Sequence, residues 1–359
     1  MLRLVSLVLL TLQLLLLPSL ANADAVLDLW TKGQPALDAQ LAKSTTCSKD
    51  KLQIRKEWGD PTDSEKSSYI NAVLCLTKTP SKLDPAKYPG AKSRYDDFVV
   101  VHINQTLSIH GTVMLLSTRN SVSYNVTDLS TMYWNWARWA ADPEKSPIFD
   151  GTMLSMSGNG EKITHSGTIV TGNGGGRITS GPFKNMTVNL GPISPAINPA
   201  SPTNPRSDGY GYNPRCLRRD ISNQLSSKYS RTEDIVNLIE PINSIGTFQD
   251  TLQSTNPLNV HVAGHYTISG GPGGDFYVSP GDPAFWSRHS MIDRAWTIWQ
   301  MQDLPNRLQV IAGGTSILGF SSRAQSLDDI VDLNVVGPKT YKIRELVSVV
   351  DGPVCYYYA

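Results

Sequence analysis

Six histidines are present in this 359-residue chain, and five of them fall in two short stretches. His261 and His265 lie four residues apart, so on a helix both imidazoles leave the same face. His289 lies on a second helix-prone segment, and antiparallel packing of the two would bring a third imidazole nitrogen to the same point. His102 and His110 form the other group, and His165 stands alone in a Gly/Ser-rich stretch. Imidazole-only ligation suits copper, zinc, iron or nickel. No carboxylate sits at HExxH spacing, which argues against a zinc protease. An isolated HxxxH pair is more often ordinary helix surface than a metal site. The surrounding string therefore has to decide.

That string is informative. Between Gly281 and Gln300, Asp282, Pro283, Phe285, His289, Asp293, Arg294 and Trp296 fall at the positions of D-P-x-F-x-x-H-H-x-x-x-D-R-x-W, preceded by the H-x-x-x-H of His261 and His265. This closely resembles the second copper-binding motif of the tyrosinase and catechol oxidase family. Tyr95 to Thr112, with His102 and His110, resembles the first copper region of secreted fungal members, and Tyr133 to Trp136 resembles their Y-W-N-W segment. The resemblance runs over roughly residues 45–300. It implies a mainly α fold, an antiparallel four-helix bundle core with long loops, holding two copper ions with three histidines each. It also implies a small phenolic substrate and dioxygen, with o-diphenols, and in some members monophenols, converted to o-quinones. Phe285 would pack on an imidazole, while Asp293 and Arg294 would support the ligand helix, the usual task of groups behind a metal ligand.

Three departures from the pattern matter. Where the family places the third ligand of the first copper, this chain has Arg119, in Leu116-Ser117-Thr118-Arg119. A guanidinium has no lone pair to offer a metal. Two explanations stand: loss of that ligand, leaving a copper-binding homologue with only its second site complete, or a shifted reading frame across residues 115–132, which the intact pattern on both sides favours. Arg288 occupies a position where the family commonly has histidine. Neighbouring helix residues diverge by about 100°, so Arg288 is expected to point away from the metal. Val262 follows the first ligand where several tyrosinases carry asparagine, which favours diphenol oxidation over monophenol hydroxylation.

The elements that must position these groups can also be read. Arg3 followed by the apolar run to Leu20 and the small residues Ala21 and Ala23 reads as a secretory signal peptide over residues 1–23. Residues 24–359 then form one domain, long enough to bury a large core. Without Arg3 the chain carries 31 basic and 31 acidic residues, a balance that gives no electrostatic case for nucleic acid or a membrane surface. Four cysteines, Cys47, Cys75, Cys216 and Cys355, imply two disulfides in a secreted chain, with three pairings open. Lys49–Trp58, Ser64–Leu76, Arg215–Ile242 and Asp282–Gln300 read as helical. Residues 157–213 are rich in Gly, Ser, Asn and Pro and read as loops, either shaping a binding site or a solvated insertion. Alternation after Leu333 suggests a few short C-terminal strands. Asn125 and Asn185 lie in glycosylation sequons, whereas the sequon at Asn104 sits in an apolar run and is expected to be buried and unmodified.

Overall fold

Ala284–Met301 forms the central helix of the chain, and all eighteen of its residues are buried. A helix buried on every side belongs at the middle of a core. The computed structural model describes residues 25–108, 132–167, 170–198, 200–316, 322–337 and 340–359. Residues 1–23, expected to be a signal peptide, and His110, Arg119 and Asn125 lie outside them. In chain order, the helices used below are α1 (residues 25–41), α2 (Asp63–Lys78), α3 (Arg94–Gln105), α4 (Asn223–Tyr229), α5 (Thr232–Ile239), α6 (Ile245–Leu252), α7 (Val260–Ile268) and α8 (Ala284–Met301). The fold is mainly helical, as expected, with a few short strands.

The sequence dictates where these helices start. α3 begins at a capping box, in which Ser93 accepts from the Asp96 backbone N–H and the Asp96 side chain accepts from that of Ser93. Thr62 and Glu65 do the same for α2. Asn259 caps α7 by accepting from the Val260 N–H. α8 starts at Asp282-Pro283, with the Asp282 carboxylate accepting the Ala284 N–H at 2.9 Å. Tyr95 on α3 donates to the Pro280 carbonyl at 2.7 Å and accepts from Trp286 Nε1 at 3.1 Å, which joins α3 to the start of α8.

Several expectations need correction. The segment Lys49–Trp58 is not helical: Gln53–Arg55 is strand β1, paired in parallel with a C-terminal strand, Tyr356–Tyr358 (β2). Hydrogen bonding to the chain's own C-terminal strand overrides the helix propensity of its charged residues. Strands are not confined to the C-terminus either. The Gly/Pro-rich stretch pairs Gly160–Lys162 with Gly175–Ile178, and Thr187–Val188 with Arg215–Cys216. Asn104 is exposed rather than buried, because it lies on the outer side of α3, where its amide bonds the hydroxyls of Tyr88 and Tyr210.

One disulfide forms rather than two. Cys47 joins Cys355, while Cys75 and Cys216 are free, exposed thiols on α2 and on the Arg215–Cys216 strand. The bridge closes a loop of 308 residues and fastens the chain just before both β1 and β2. Loss of a native disulfide typically costs about 2–5 kcal/mol. Cys355→Ser is therefore expected to lower the free energy of unfolding by about that amount in a urea titration. A change below about 0.5 kcal/mol would show that β2 holds without the bridge.

Candidate metal centre

α7 and α8 bring three imidazoles together. His261 Nε2 and His265 Nε2 are 3.2 Å apart, and His265 Nε2 lies 3.3 Å from His289 Nε2. His261 and His289 are buried, and His265 is half-buried. With metal–imidazole bonds of about 2.0–2.1 Å, tetrahedral geometry separates ligand nitrogens by about 3.3 Å, so the observed spacing fits one ion. The tautomer fits as well. His265 Nδ1 faces the Gly273 carbonyl at 3.2 Å and so carries the proton, which leaves the Nε2 lone pair for a metal.

His102, on α3, is arranged in the same way. Its Nδ1 faces the Tyr277 carbonyl at 2.7 Å, which leaves Nε2 as the acceptor. Burial pushes its pKa down to about 4, against the opposing Tyr277 bond, so the imidazole is neutral at ordinary pH, as a ligand must be. Phe285 lies between the two groups. It stacks on His289 with centroids 3.9 Å apart and meets His102 edge-on at 5.4 Å.

The carbonyls that orient His102 and His265 belong to one loop, residues 273–277, and a residue not singled out from sequence builds it. Buried Asp275 accepts backbone N–H groups from Ile193 and Ser194, at 2.8 Å each, and from Tyr277 and Val278. Four backbone donors on one carboxylate fix the loop against the Pro-rich segment above it. Arg219 is a second residue not singled out from sequence. It forms a bidentate pair with Asp282, at 3.0 and 2.7 Å, and donates to the Ser157 and Gly158 carbonyls at 2.8 and 3.0 Å. The Gly-rich stretch is thereby held at the start of α8.

Asp293 and Arg294 sit one turn further along α8. Asp293 accepts from Tyr356 and Tyr358 hydroxyls at 2.5 and 2.6 Å and lies 3.5 Å from Arg55, so it fastens β2 to α8. Arg294 is buried over the Tyr133 ring, 5.1 Å from its centroid.

Arg288 contradicts its expectation. It does not point away: its guanidinium is buried, with Nη1 3.0 Å from His289 Nε2 and Nη2 donating to the carbonyls of Val260 and His261. Burial lowers its pKa to about 9. The 100° rule describes where Cβ points, but a three-methylene stem lets the head group return to the neighbouring helix. Gly264 makes the room, since a Cβ there would stand 2.3 Å from Arg288 Nε.

A cavity of about 220 Å³ opens onto the imidazoles, bordered by His261, Val262, His265, Tyr266, Gly274 and Phe276. His165 lies elsewhere. Both its ring nitrogens act as donors, to the Ile163 carbonyl at 2.9 Å and to Asp220 at 2.8 Å. Burial opposes the charged ring, but these two bonds outweigh it and raise the pKa. The unfolded ring titrates near 6.5. The pair therefore stabilises the fold fully below about pH 6.5 and is lost as pH rises through the raised folded value. An NMR titration of the His165 ring should show a midpoint above 6.5, and a midpoint at or below that value would contradict the pairing.

Three imidazoles at metal-ligand spacing, two buried and one half-buried, on two helices of a mainly helical chain define a candidate metal-binding site. The comparisons give the family. The common central domain of tyrosinase matches residues 116–302. A tyrosinase-like protein, orsC, from Emericella nidulans is 35% identical, over 77% of this chain and 82% of that protein. An N-acetyl-6-hydroxytryptophan oxidase, ivoB, from the same organism is 33% identical, over 90% of this chain and 96% of its own length. Among solved structures, a polyphenol oxidase variant from Thermothelomyces thermophila superposes with a TM-score of 0.86 at 33% identity, covering 94% of this chain and 98% of that one. The chain belongs to the tyrosinase family, whose members are copper oxidoreductases built on a dicopper centre.

Proposed function

We propose that this chain is a secreted copper oxidase that converts o-diphenols to o-quinones with dioxygen. The observation that carries the reading is the convergence of His261, His265 and His289 Nε2 beneath an open cavity. In this reading these three residues hold one copper, and His102, with His110, contributes to the other. α3, α7 and α8 supply three helices of the four-helix bundle. Bound copper would supply the electron transfer that lets dioxygen act as oxidant: two o-diphenols each give up two electrons and two protons, and one dioxygen becomes two waters. The protein's own task is to orient the ligands through the 273–277 loop, and to admit a flat phenol past Val262 and Phe276. Val262 offers no hydrogen-bonding group to take a phenolic proton, which supports diphenols over monophenols. Among the described residues no helix is long and apolar enough to cross a membrane. Residues 1–23 carry the pattern of a cleaved signal. Asn185 is exposed and available for glycosylation, and Asn125 is its second candidate.

Oxygen consumption with catechol, after copper reconstitution, tests the reading. Uptake that depends on copper is expected, and a loaded chain that consumes none would overturn it. A second reading, a copper-binding homologue without oxidase activity, is favoured by Arg119 at the third ligand position of the first copper. Two copper ions per chain with dioxygen-dependent near-ultraviolet absorption would exclude it.

A further inference from the structure

We propose that the Arg288 guanidinium is an internal occupant of the His261–His265–His289 pocket, which copper must displace in order to bind. The inference rests on the copper reading given above and concerns a residue that reading leaves without a task.

His289 Nε2 has one lone pair, and Arg288 Nη1 reaches it at 3.0 Å, on the side where His265 Nε2 also lies, at 3.3 Å. A metal and an N–H donor cannot both use that lone pair. The guanidinium has a built berth. Its Nη2 donates to the Val260 and His261 carbonyls in the first turn of α7, and Gly264 leaves open the slot through which the side chain runs. No carboxylate pairs with Arg288 among the described residues. Among the described residues its charge is met by two carbonyl dipoles and the imidazole lone pair. A dication brought to the same nitrogen would meet that charge at close range in a medium that screens poorly.

The arrangement has two consequences. Without metal, Arg288 ties the first turn of α7 to α8 and keeps the imidazoles assembled. With metal, the side chain has to leave His289, so copper uptake is a competition between an external and an internal cation.

Arg288→Gln in the full chain removes the charge and keeps a polar side chain. Competition with a chelator of known strength is expected to show copper held at least about tenfold tighter than in the unaltered chain, with a lower Tm for the metal-free protein. Gly264→Ala is expected to shift affinity in the same direction, because its methyl group evicts the guanidinium. Copper held with unchanged or weaker affinity in Arg288→Gln would overturn the proposal. If the variants do not fold, the unaltered chain decides. Labelling of Arg288 by phenylglyoxal, read by peptide mass spectrometry, should rise as copper is added, and a flat response would overturn it. Copper uptake by none of these proteins would sink both this inference and the copper reading. Uptake that is insensitive to residue 288 would sink this inference alone.

Discussion

His289→Ala is expected to cost the protein more than about 100-fold in copper affinity at the α7–α8 site, and its copper-dependent oxygen uptake with it. Groups that merely orient a ligand typically cost 10–100-fold when removed, and His289 is itself one of three donors. Its Nε2 stands 3.3 Å from His265 Nε2, at the spacing one ion requires. Two imidazoles on one helical turn, His261 and His265, would remain, too few to close a tetrahedral site. His289 stacks on Phe285 in a fully buried setting, so the variant will also lose stability, and metal per chain must be measured below its lowered melting temperature. His165→Ala is the matched control, because that ring is bonded to Asp220 away from the site. Equal copper content in His289→Ala and the unaltered chain would remove His289 from the ligand set.

Arg219→Met is the largest stability effect expected. The guanidinium makes five hydrogen bonds inside the core: two to Asp282 and one each to the Met156, Ser157 and Gly158 carbonyls. Both partners of the ion pair are fully buried. Removing one partner of a buried pair leaves an uncompensated charge and costs roughly 3–5 kcal/mol. Here the stranded carboxylate also begins α8, where it accepts the Ala284 N–H. The free energy of unfolding should fall by about that amount, and Tm by on the order of 10 °C. The double change Arg219→Met with Asp282→Leu should recover part of the loss, because the lone charge is then gone. A single variant within about 1 kcal/mol of the original chain would contradict this assignment.

What the sequence disclosed and what it concealed follow from range. α8 was legible because its ligand, aromatic and acidic residues recur at helical spacing, and α7 because its two histidines do. The pairing of Gln53–Arg55 with Tyr356–Tyr358 was not, since local propensity carries no information about a partner three hundred residues away. Asp275 was passed over because one aspartate in a Gly-rich loop has no pattern; its role comes from four backbone donors that only the fold assembles. Arg288 was placed wrongly for a different reason. Helical phase fixes where a side chain starts, whereas the slot above Gly264 and the carbonyls of Val260 and His261 fix where a long one ends. The candidate histidines were therefore legible from spacing together with the motif around them, and the contacts of Asp275 and Arg288 were not.

The central claim is that His261, His265 and His289 bind copper together. Pulsed EPR on the full chain, loaded with less than one copper per chain, counts the imidazole nitrogens on the metal directly. Three coupled imidazoles in the unaltered chain, falling to two in His265→Ala, are the predicted result. A count that is the same in both proteins would contradict the claim.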